Sequence, residues 1–278
     1  MIIALLGVLG LIFGSFVNAL VWRLYEQEKL ADKKGEKTAE RRRELSITKG
    51  RSMCPNCGHE LAAKDLVPVV SWVMLGGKCR YCRKPISWQY PVVELLTGML
   101  FVVSYLAWPL GFYHVGLFQF ALWLVFLVGF VALAVYDLRW FLLPDRIVLP
   151  LTILGLVQVA VTALWLRSFT LFWQPIVAAG IIFGLFWLLF QVSKGAWIGG
   201  GDVKLAVLLG LLVGTPLRAF LVIFFASLLG TLVSIPLIAR GKQGLQLRIP
   251  FGPYLLLATV LVVLYGTPIV GWYQNLFL

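Results

Sequence analysis

The chain has 278 residues, of which 60% are hydrophobic and only 13% are charged, and its mean hydropathy is +0.91. A soluble domain carries about 25% charged residues, so this composition excludes an ordinary soluble fold and predicts a membrane protein. The net charge of +12 does not indicate nucleic-acid binding. Basic residues of membrane proteins collect in cytoplasmic loops, and the sequence lacks modules that stack on or read bases.

The first apolar segment, "IIALLGVLGLIFGSFVNALV", is long enough to cross a bilayer. It has neither a basic n-region nor a small-residue cleavage site, so we predict a retained transmembrane helix over residues 1–21. The long polar segment at residues 22–89 begins with a mixed-charge run that we interpret as a solvated helix or linker. Membrane lipid is a predicted partner of its basic side chains, which are Lys33, Lys34, Lys37, Arg41, Arg42 and Arg43.

The second half of this polar segment contains all four cysteines. They form two C-x-x-C pairs, Cys54 with Cys57 and Cys79 with Cys82, separated by twenty-one residues. Four thiolates at such a spacing can close a tetrahedral site around Zn²⁺. Two disulfides are disfavoured in a reducing cytoplasm, and no other feature supports a rubredoxin-like iron site. We therefore predict a structural zinc ion, since four protein ligands leave no open position for catalysis.

Seven further apolar segments follow in residues 90–278, with centres near residues 99, 125, 155, 181, 208, 228 and 263. The sequence thus predicts an all-α polytopic membrane protein with about eight transmembrane helices and a small cytoplasmic four-cysteine zinc domain between helices 1 and 2. The segment near residue 208 has only about a dozen apolar residues, short for a core of about 30 Å. We expect it to be tilted, shielded by neighbours or continuous with the glycines before it.

Basic residues predict the orientation of these spans. If the cysteine loop is cytoplasmic, most basic residues of the later loops are cytoplasmic too, and little more than Arg167 and Arg218 remains on the opposite side. This asymmetry places both termini outside. The cytoplasmic set comprises Arg139, Arg146, Lys194, Lys204, Arg240, Lys242 and Arg248.

Two acidic residues lie at the predicted cytoplasmic edge of the membrane. Asp137 ends the third span, and Asp202 follows three consecutive glycines. Two facing carboxyl groups cannot both ionise easily, which supplies a general acid beside a general base for activating water. The alternative is that each aspartate caps a helix or pairs with Arg139 or Lys204. For a single aspartate we would favour that alternative. Two aspartates at the same membrane depth make a functional role as well supported as a structural one.

Two other acidic residues are less informative. Asp145 follows Pro144 at the start of the fourth span, where an N-cap is the natural expectation. Glu94 lies about one turn into the second span. It could pair with a basic group or serve a second site, and the sequence does not decide between these roles.

The ordered motifs of the chain resemble those of the type IV prepilin peptidases, the GxGD class of intramembrane aspartyl proteases. They are "GSFVNALVWR", "CPNCGHELAAKDLVPVVSWVMLGGKCRYC", "ISWQYPVVELLTG", "YDLRWFLLPD", "GGGDVKLA" and "PFGPYLLLA". The resemblance covers nearly the whole chain, and the ordered set is far more specific than GxGD alone.

This resemblance implies that Asp137 and Asp202 are the two catalytic aspartates. It implies removal of a short basic leader from prepilins or type II secretion pseudopilins, after a glycine, at the cytoplasmic face of the bacterial inner membrane. It further implies N-methylation of the new N-terminus from S-adenosylmethionine, because a four-cysteine domain is typical of bifunctional members. We expect active-site support from residues that give the backbone room or line the same cavity, namely Gly199, Gly201, Pro250 and Gly252.

The methyl-donor site is not assigned by the sequence. No G-x-G loop lies in a soluble α/β setting, which excludes an ordinary Rossmann-like cofactor domain, so Lys78, Asp65 and Glu94 are the candidates. Three alternative functions stay open: a peptidase without methyltransferase activity, a zinc-stabilised transporter with an intramembrane carboxylate relay, and a non-catalytic assembly factor. No oligomeric state is predicted.

Overall fold

The computed structural model describes residues 1–31, 36–47, 50–240 and 249–277. Lys33, Lys34, Lys242 and Arg248, which enter the predictions on lipid contact and topology, lie outside these residues, as do the side chains of Lys37 and Arg240. The described residues form ten α-helices: α1 (Ile2–Lys29), α2 (Glu36–Glu44), α3 (Val70–Met74), α4 (Gln89–Leu106), α5 (His114–Trp140), α6 (Asp145–Trp165), α7 (Thr170–Ser193), α8 (Gly200–Val213), α9 (Pro216–Arg240) and α10 (Gly252–Phe277).

The predicted all-α membrane fold is confirmed. Within the described ranges, seven helices are long and apolar enough to span a bilayer, namely α1, α4, α5, α6, α7, α9 and α10. Those ranges contain no β-strand; their extended pairings are the isolated bridges of Met53 with Glu60 and of Lys78 with Pro85. The eighth apolar segment is α8, which has only 14 residues.

Helix α8 is short, with ends at the Gly199 N-cap and the left-handed Gly214 C-cap, and other helices shelter it. Its 14 residues rise about 21 Å, less than the bilayer core. Nine of them are buried, and the helix packs against α6, α7 and α10. At Gly210 a Cβ would collide with the backbone of α7 at Ala179. The expected shielding is therefore confirmed, and so is continuity with the glycines, since α8 begins at Gly200.

The chain forms two compact units, residues 1–106 and 107–278. In the first unit, α1 and α4 pack at very short distance through glycines. A Cβ on Gly10 would lie 2.7 Å from the Cα of Gly98, and one on Gly14 would lie 2.6 Å from the Cα of Glu94. Small residues at such contacts let two helix backbones approach closely in a membrane. The predicted boundaries at residues 21 and 89 stay a prediction, although α1 itself continues to Lys29.

Two buried polar residues of the "GSFVNALVWR" motif connect α1 to the rest of the first unit. The Asn18 amide donates to the carbonyl of Tyr90 and accepts from the side chain of Gln89, which fixes the start of α4. The buried Arg23 guanidinium donates three hydrogen bonds to backbone carbonyls just before the first cysteine. The acceptors are Ser46, Ile47 and Gly50.

In the second unit the helix ends determine where the two aspartates lie. Helix α5 stops after Trp140 because Phe141 adopts a left-handed conformation (φ 56°) and its N–H donates to the carbonyl of Asp137. Pro144 then precedes α6, and proline at a helix start is favourable because its missing N–H is not needed there. Asp137 thus lies in the last turn of α5 and Asp202 in the first turn of α8.

Candidate active site and metal centre

Asp137 is buried, with 6% of its surface exposed. Its Oδ2 accepts a hydrogen bond of 3.1 Å from the backbone N–H of Gly252, the first residue of α10. A Cβ on Gly252 would lie 2.5 Å from that same oxygen. The carboxyl group therefore occupies the space a side chain would need, and it faces the N-terminus of α10, where free backbone N–H groups favour an anion.

Asp202 is also buried, at 8% exposure. Gly199 is the N-cap of α8, and its carbonyl accepts a hydrogen bond of 3.1 Å from the backbone N–H of Asp202. A Cβ on Gly199 would lie 3.4 Å from Asp202 Oδ2. The other oxygen, Oδ1, is buried and has no hydrogen-bond partner among the described residues. A buried unpartnered carboxyl oxygen is rare and typical of a site that binds water or substrate.

Asp137 and Asp202 lie near one another, within range of each other's charge. Leu143, in the loop after α5, contacts both glycine positions beside them. A Cβ on Gly201 would lie 3.0 Å from Leu143 Cβ, and one on Gly252 would lie 3.6 Å from Leu143 Cδ2. Sequence reasoning missed Leu143, because nothing distinguishes this leucine from its apolar neighbours before it is seen in three dimensions.

The basic residues proposed as alternative partners are engaged elsewhere. Lys204 Nζ contacts both carboxylate oxygens of Asp145 at 2.8 Å, and the Arg139 guanidinium lies over the Trp140 ring at 5.5 Å. Across the described ranges, no ion pair reaches Asp137 or Asp202. Asp137 and Asp202 therefore do not form the ion pairs with Arg139 or Lys204 that the sequence left as an alternative.

The N-cap role predicted for Asp145 was wrong. The cap position is Pro144, without a side-chain cap bond, and Asp145 is the first residue of α6. Its carboxylate instead joins the start of α6 to the start of α8 through Lys204. Pro250, predicted to support the site, lies half-buried two residues before α10, and its role stays a prediction.

The four cysteines converge on one point of the first unit. All are free, and their sulfur atoms lie within 4.8 Å of one another. The Sγ atoms of Cys54 and Cys82 are 3.9 Å apart. A tetrahedral zinc site with Zn–S bonds of about 2.3 Å has sulfurs about 3.8 Å apart, so this donor set fits zinc. The two-disulfide alternative does not describe this cluster, because all four cysteines are free and the 3.9 Å between Cys54 Sγ and Cys82 Sγ far exceeds an S–S bond of about 2.05 Å.

The two cysteine turns repeat one backbone pattern. In each, the first cysteine's N–H donates to the carbonyl five residues later, and its carbonyl accepts from the N–H four residues later. The bonds join Cys54 to His59 and Gly58, and Cys79 to Lys84 and Arg83, at 2.9–3.0 Å. The fourth residue after the cysteine has a positive φ in both turns, 72° at Gly58 and 59° at Arg83. This repetition presents the thiols of both turns in the same way.

Comparison with known proteins agrees with both halves of this description. The profile of the bacterial Peptidase A24 N-terminal domain matches residues 8–108, and that of the type IV leader peptidase family matches residues 124–235. A prepilin leader peptidase/N-methyltransferase of Pseudomonas aeruginosa is 34% identical over 279 residues, covering 95% of this chain and 91% of the relative. Proteins of the same name from Stutzerimonas stutzeri (33% over 280 residues; 96% and 91%) and Xanthomonas campestris (36% over 276 residues; 95% and 92%) are similar.

The chain belongs to the prepilin leader peptidase/N-methyltransferase family. No solved structure matches it. The first matched range of this family member nearly coincides with the unit that contains the cysteines, and the second contains Asp137 and Asp202. Helix α10, which donates to Asp137 from Gly252, begins after the second matched range.

For the methyl-donor site of this family member, two of the three candidates are engaged within the chain. Asp65 accepts from Arg80 Nε at 2.7 Å and from the Tyr81 hydroxyl at 3.1 Å. Burial raises the pKa of Asp65, but these two bonds outweigh it and hold the pKa below its ordinary value. Asp65 therefore stays ionised and ties the loop to the second cysteine turn.

Glu94 accepts a 2.7 Å hydrogen bond from the backbone N–H of Val69. Among the described residues no ion pair reaches it, so its partner is not a basic group. Lys78 is exposed. These contacts give both carboxylates a role in holding the loop, so the residues that bind a methyl donor stay unassigned.

Proposed function

We propose that this chain is a membrane-embedded aspartyl endopeptidase that cleaves type IV prepilins or type II secretion pseudopilins after a glycine and then N-methylates the new N-terminal residue. The single observation that supports the catalytic assignment is the proximity of Asp137 and Asp202, with Asp202 Oδ1 buried and unpartnered among the described residues. A water molecule that attacks a peptide carbonyl needs such an oxygen to accept its proton. The transporter and assembly-factor alternatives have no comparable support in the relatives.

In the proposed reaction, a water molecule binds between the two carboxyl groups. The ionised carboxylate accepts a proton as the water oxygen attacks the carbonyl carbon of the scissile peptide, and the protonated partner donates to the carbonyl oxygen. Collapse of the tetrahedral intermediate breaks the C–N bond, and the proton goes to the leaving amine. Because the pair titrates as a unit, the acid and base roles belong to Asp137 and Asp202 together.

Glycines around the pair make room for the substrate. Gly199, Gly200 and Gly201 form the N-cap and first residues of α8, so this segment itself puts no side chain between an approaching peptide and Asp202. A prepilin offers an apolar helix with a polar leader, which suits cleavage at the edge of a membrane. From the basic residues of the loops, we infer that this edge is cytoplasmic, with both termini outside.

The zinc domain contributes stability rather than chemistry in this proposal. Cys54, Cys57, Cys79 and Cys82 supply four thiolates to one Zn²⁺, and the ion folds a loop too small to bury a core. S-adenosylmethionine supplies the methyl group when bound. The contacts of Asp65 and Glu94 hold the loop rather than a bound donor.

The test uses purified protein in detergent with a prepilin substrate. We expect Asp137→Asn and Asp202→Asn each to lower cleavage at least about a thousandfold, since each removes one member of an acid–base pair. Asp145→Asn is the matched control and keeps measurable cleavage, because Asp145 pairs with Lys204. Equal thermal unfolding temperatures of the three variants show that each is folded. Wild-type cleavage by either of the first two would refute the assignment.

Methylation is tested separately by mass spectrometry of the mature pilin. With S-adenosylmethionine present, we expect the cleaved product to gain the mass of one methyl group at its N-terminus. A product of the cleaved but unmethylated mass would leave a peptidase alone.

A further inference from the structure

The loop between the two cysteine pairs exposes a group of apolar side chains to its surroundings. Helix α3 carries three of them on one face, at the i, i+3 and i+4 positions, with Val73 63% and Met74 80% exposed. We call this group the apolar tip; it consists of Leu66, Val67, Val70, Val73 and Met74. Exposed apolar clusters of this kind mark interaction surfaces.

The backbone of the tip is held in place from the side of α4. The buried carboxylate of Glu94 accepts the Val69 N–H at 2.7 Å. Val69 has φ 61°, which is a strained conformation for a β-branched residue and persists only where surrounding contacts fix it. These contacts therefore keep the residue before α3 at one position along α4 despite the strain.

That position lies within the membrane-spanning part of α4. Glu94 is five residues after the first residue of the helix, about 7 Å along its axis. Other α4 side chains at this level are exposed, with Val92 at 55% and Leu95 at 54%. In a membrane span, exposed apolar side chains face lipid. The apolar tip thus continues a lipid-facing surface instead of projecting into water.

The charge of the loop suits the same location. Residues 63–85 contain five basic side chains and one acidic side chain, and Lys64 and Lys78 flank the tip. Basic residues on either side of an apolar insertion are attracted to anionic headgroups.

We propose that the apolar tip is an interfacial membrane anchor, which inserts among the headgroups and upper acyl chains of the leaflet where α4 begins. The anchor holds the four-cysteine domain against the bilayer with Glu94 setting its depth. Its occupant is the lipid bilayer, and the inference does not depend on which reaction the protein catalyses.

The test measures the depth of residue 74 in the full-length protein. A fluorescent amino acid replaces Met74, the protein is reconstituted into vesicles containing phosphatidylglycerol, and quenching by lipids with a nitroxide near the headgroup is compared with quenching by aqueous iodide. The matched control places the same probe at Glu60, an exposed position of the same domain. We expect nitroxide-lipid quenching about threefold stronger at residue 74 than at residue 60, and weaker iodide quenching, as for an inserted side chain.

Glu94 variants test how the depth is set. Glu94→Ala removes the acceptor of the Val69 N–H and is expected to shift the residue-74 probe toward the iodide-accessible behaviour of residue 60, with one zinc retained. Glu94→Gln keeps an acceptor oxygen and is expected to keep the lipid quenching. An unchanged probe in Glu94→Ala protein that retains its zinc would remove Glu94 from the inference.

The residue-74 measurement decides the anchor by itself, whether or not Glu94→Ala folds. Equal iodide quenching at residues 74 and 60, without nitroxide-lipid quenching, would overturn the proposal. Shielding from iodide only after a prepilin is added would also overturn it, because the tip would then be a substrate-docking surface.

Discussion

The four cysteines and the two aspartates are both clusters of ionisable side chains, but the chain assembles them in different ways. Each cysteine pair lies in one short turn, and the two turns share their hydrogen bonds and the position of their positive φ. The aspartates come from α5 and α8, and a third segment, at Gly252, holds one of them. The candidate metal site therefore rests on local turn geometry, whereas the candidate catalytic pair rests on helix packing.

This difference has consequences for what a substitution can do. A turn that is closed by its own backbone bonds loses its metal only when a ligand is changed. A carboxylate pressed against the backbone of another helix is sensitive to one added methyl group. Because the cysteines and the aspartates belong to different compact units, we expect damage to one cluster to leave the other measurable.

The largest effect is expected for removal of two zinc ligands. In Cys54→Ser/Cys79→Ser protein, each turn loses a thiolate, and a structural zinc site contributes about 10–16 kcal/mol of apparent binding free energy. We expect the zinc content to fall from one ion to none and the first unit to unfold at lower temperature. Cleavage stays detectable, since Asp137 and Asp202 keep their partners. Retention of one zinc ion by this protein would contradict the proposed ligand set.

Gly252→Ala is the corresponding change at the aspartates. The new Cβ would lie 2.5 Å from Asp137 Oδ2, so the carboxyl group must move, and a misplacement of about 1 Å can lower a rate about a hundredfold. We expect a loss of that size in cleavage, measured with detergent-purified protein, and an unchanged zinc content. The matched control is Gly271→Ala in the same helix, where a Cβ meets nothing within 4 Å. Equal activity of the two variants would remove Gly252 from the site.

Part of this arrangement was predicted from the sequence. The grouping of the four cysteines was, because a C-x-x-C turn is defined by residues adjacent in the chain. The sequence also placed Asp137 and Asp202 at one membrane depth from the distribution of basic residues, and the roles of these residues as metal ligands and catalytic groups stay predictions. The contacts of Leu143 and the pairing of Asp145 with Lys204 were not predicted from the sequence. Each of these contacts joins segments that meet only after α5, α6 and α8 have packed.

The same reasoning applies to the fold. Apolar segments predicted the long helices, because a bilayer sets their length. They left open whether α8 continues into the glycines before it, and they did not predict that Glu94 accepts a hydrogen bond from the backbone N–H of Val69. That hydrogen bond depends on a strained residue, which no propensity favours.

A smaller effect is expected for the ion pair between Lys204 and Asp145. Both side chains are about half exposed, and such pairs contribute about 0.2–1 kcal/mol. Because the pair joins α6 to the helix of Asp202, we expect Lys204→Met to lower cleavage about two- to fivefold. Asp145→Asn should have the same effect, and the double variant should lose no more than either single one. A loss with Asp145→Asn as large as that with Asp202→Asn would instead place Asp145 among the reacting groups.

The smallest effect tests whether the two cysteine turns are equivalent. Gly58 and Arg83 occupy the same position, with φ 72° and 59°, yet only one of them is glycine. A left-handed conformation costs a residue with a Cβ about 1–2 kcal/mol, and glycine loses about 0.5–1 kcal/mol more than alanine in backbone entropy. Arg83→Gly should therefore tighten zinc binding by roughly 0.5 kcal/mol, about twofold in a chelator competition.

Gly58→Ala should weaken zinc binding. Its only cost is the positive φ angle of residue 58, because a Cβ on Gly58 meets nothing within 4 Å. Opposite signs for the two variants support a repeated turn, and a loss of zinc affinity in both would show that Arg83 has a function in its turn that glycine cannot replace.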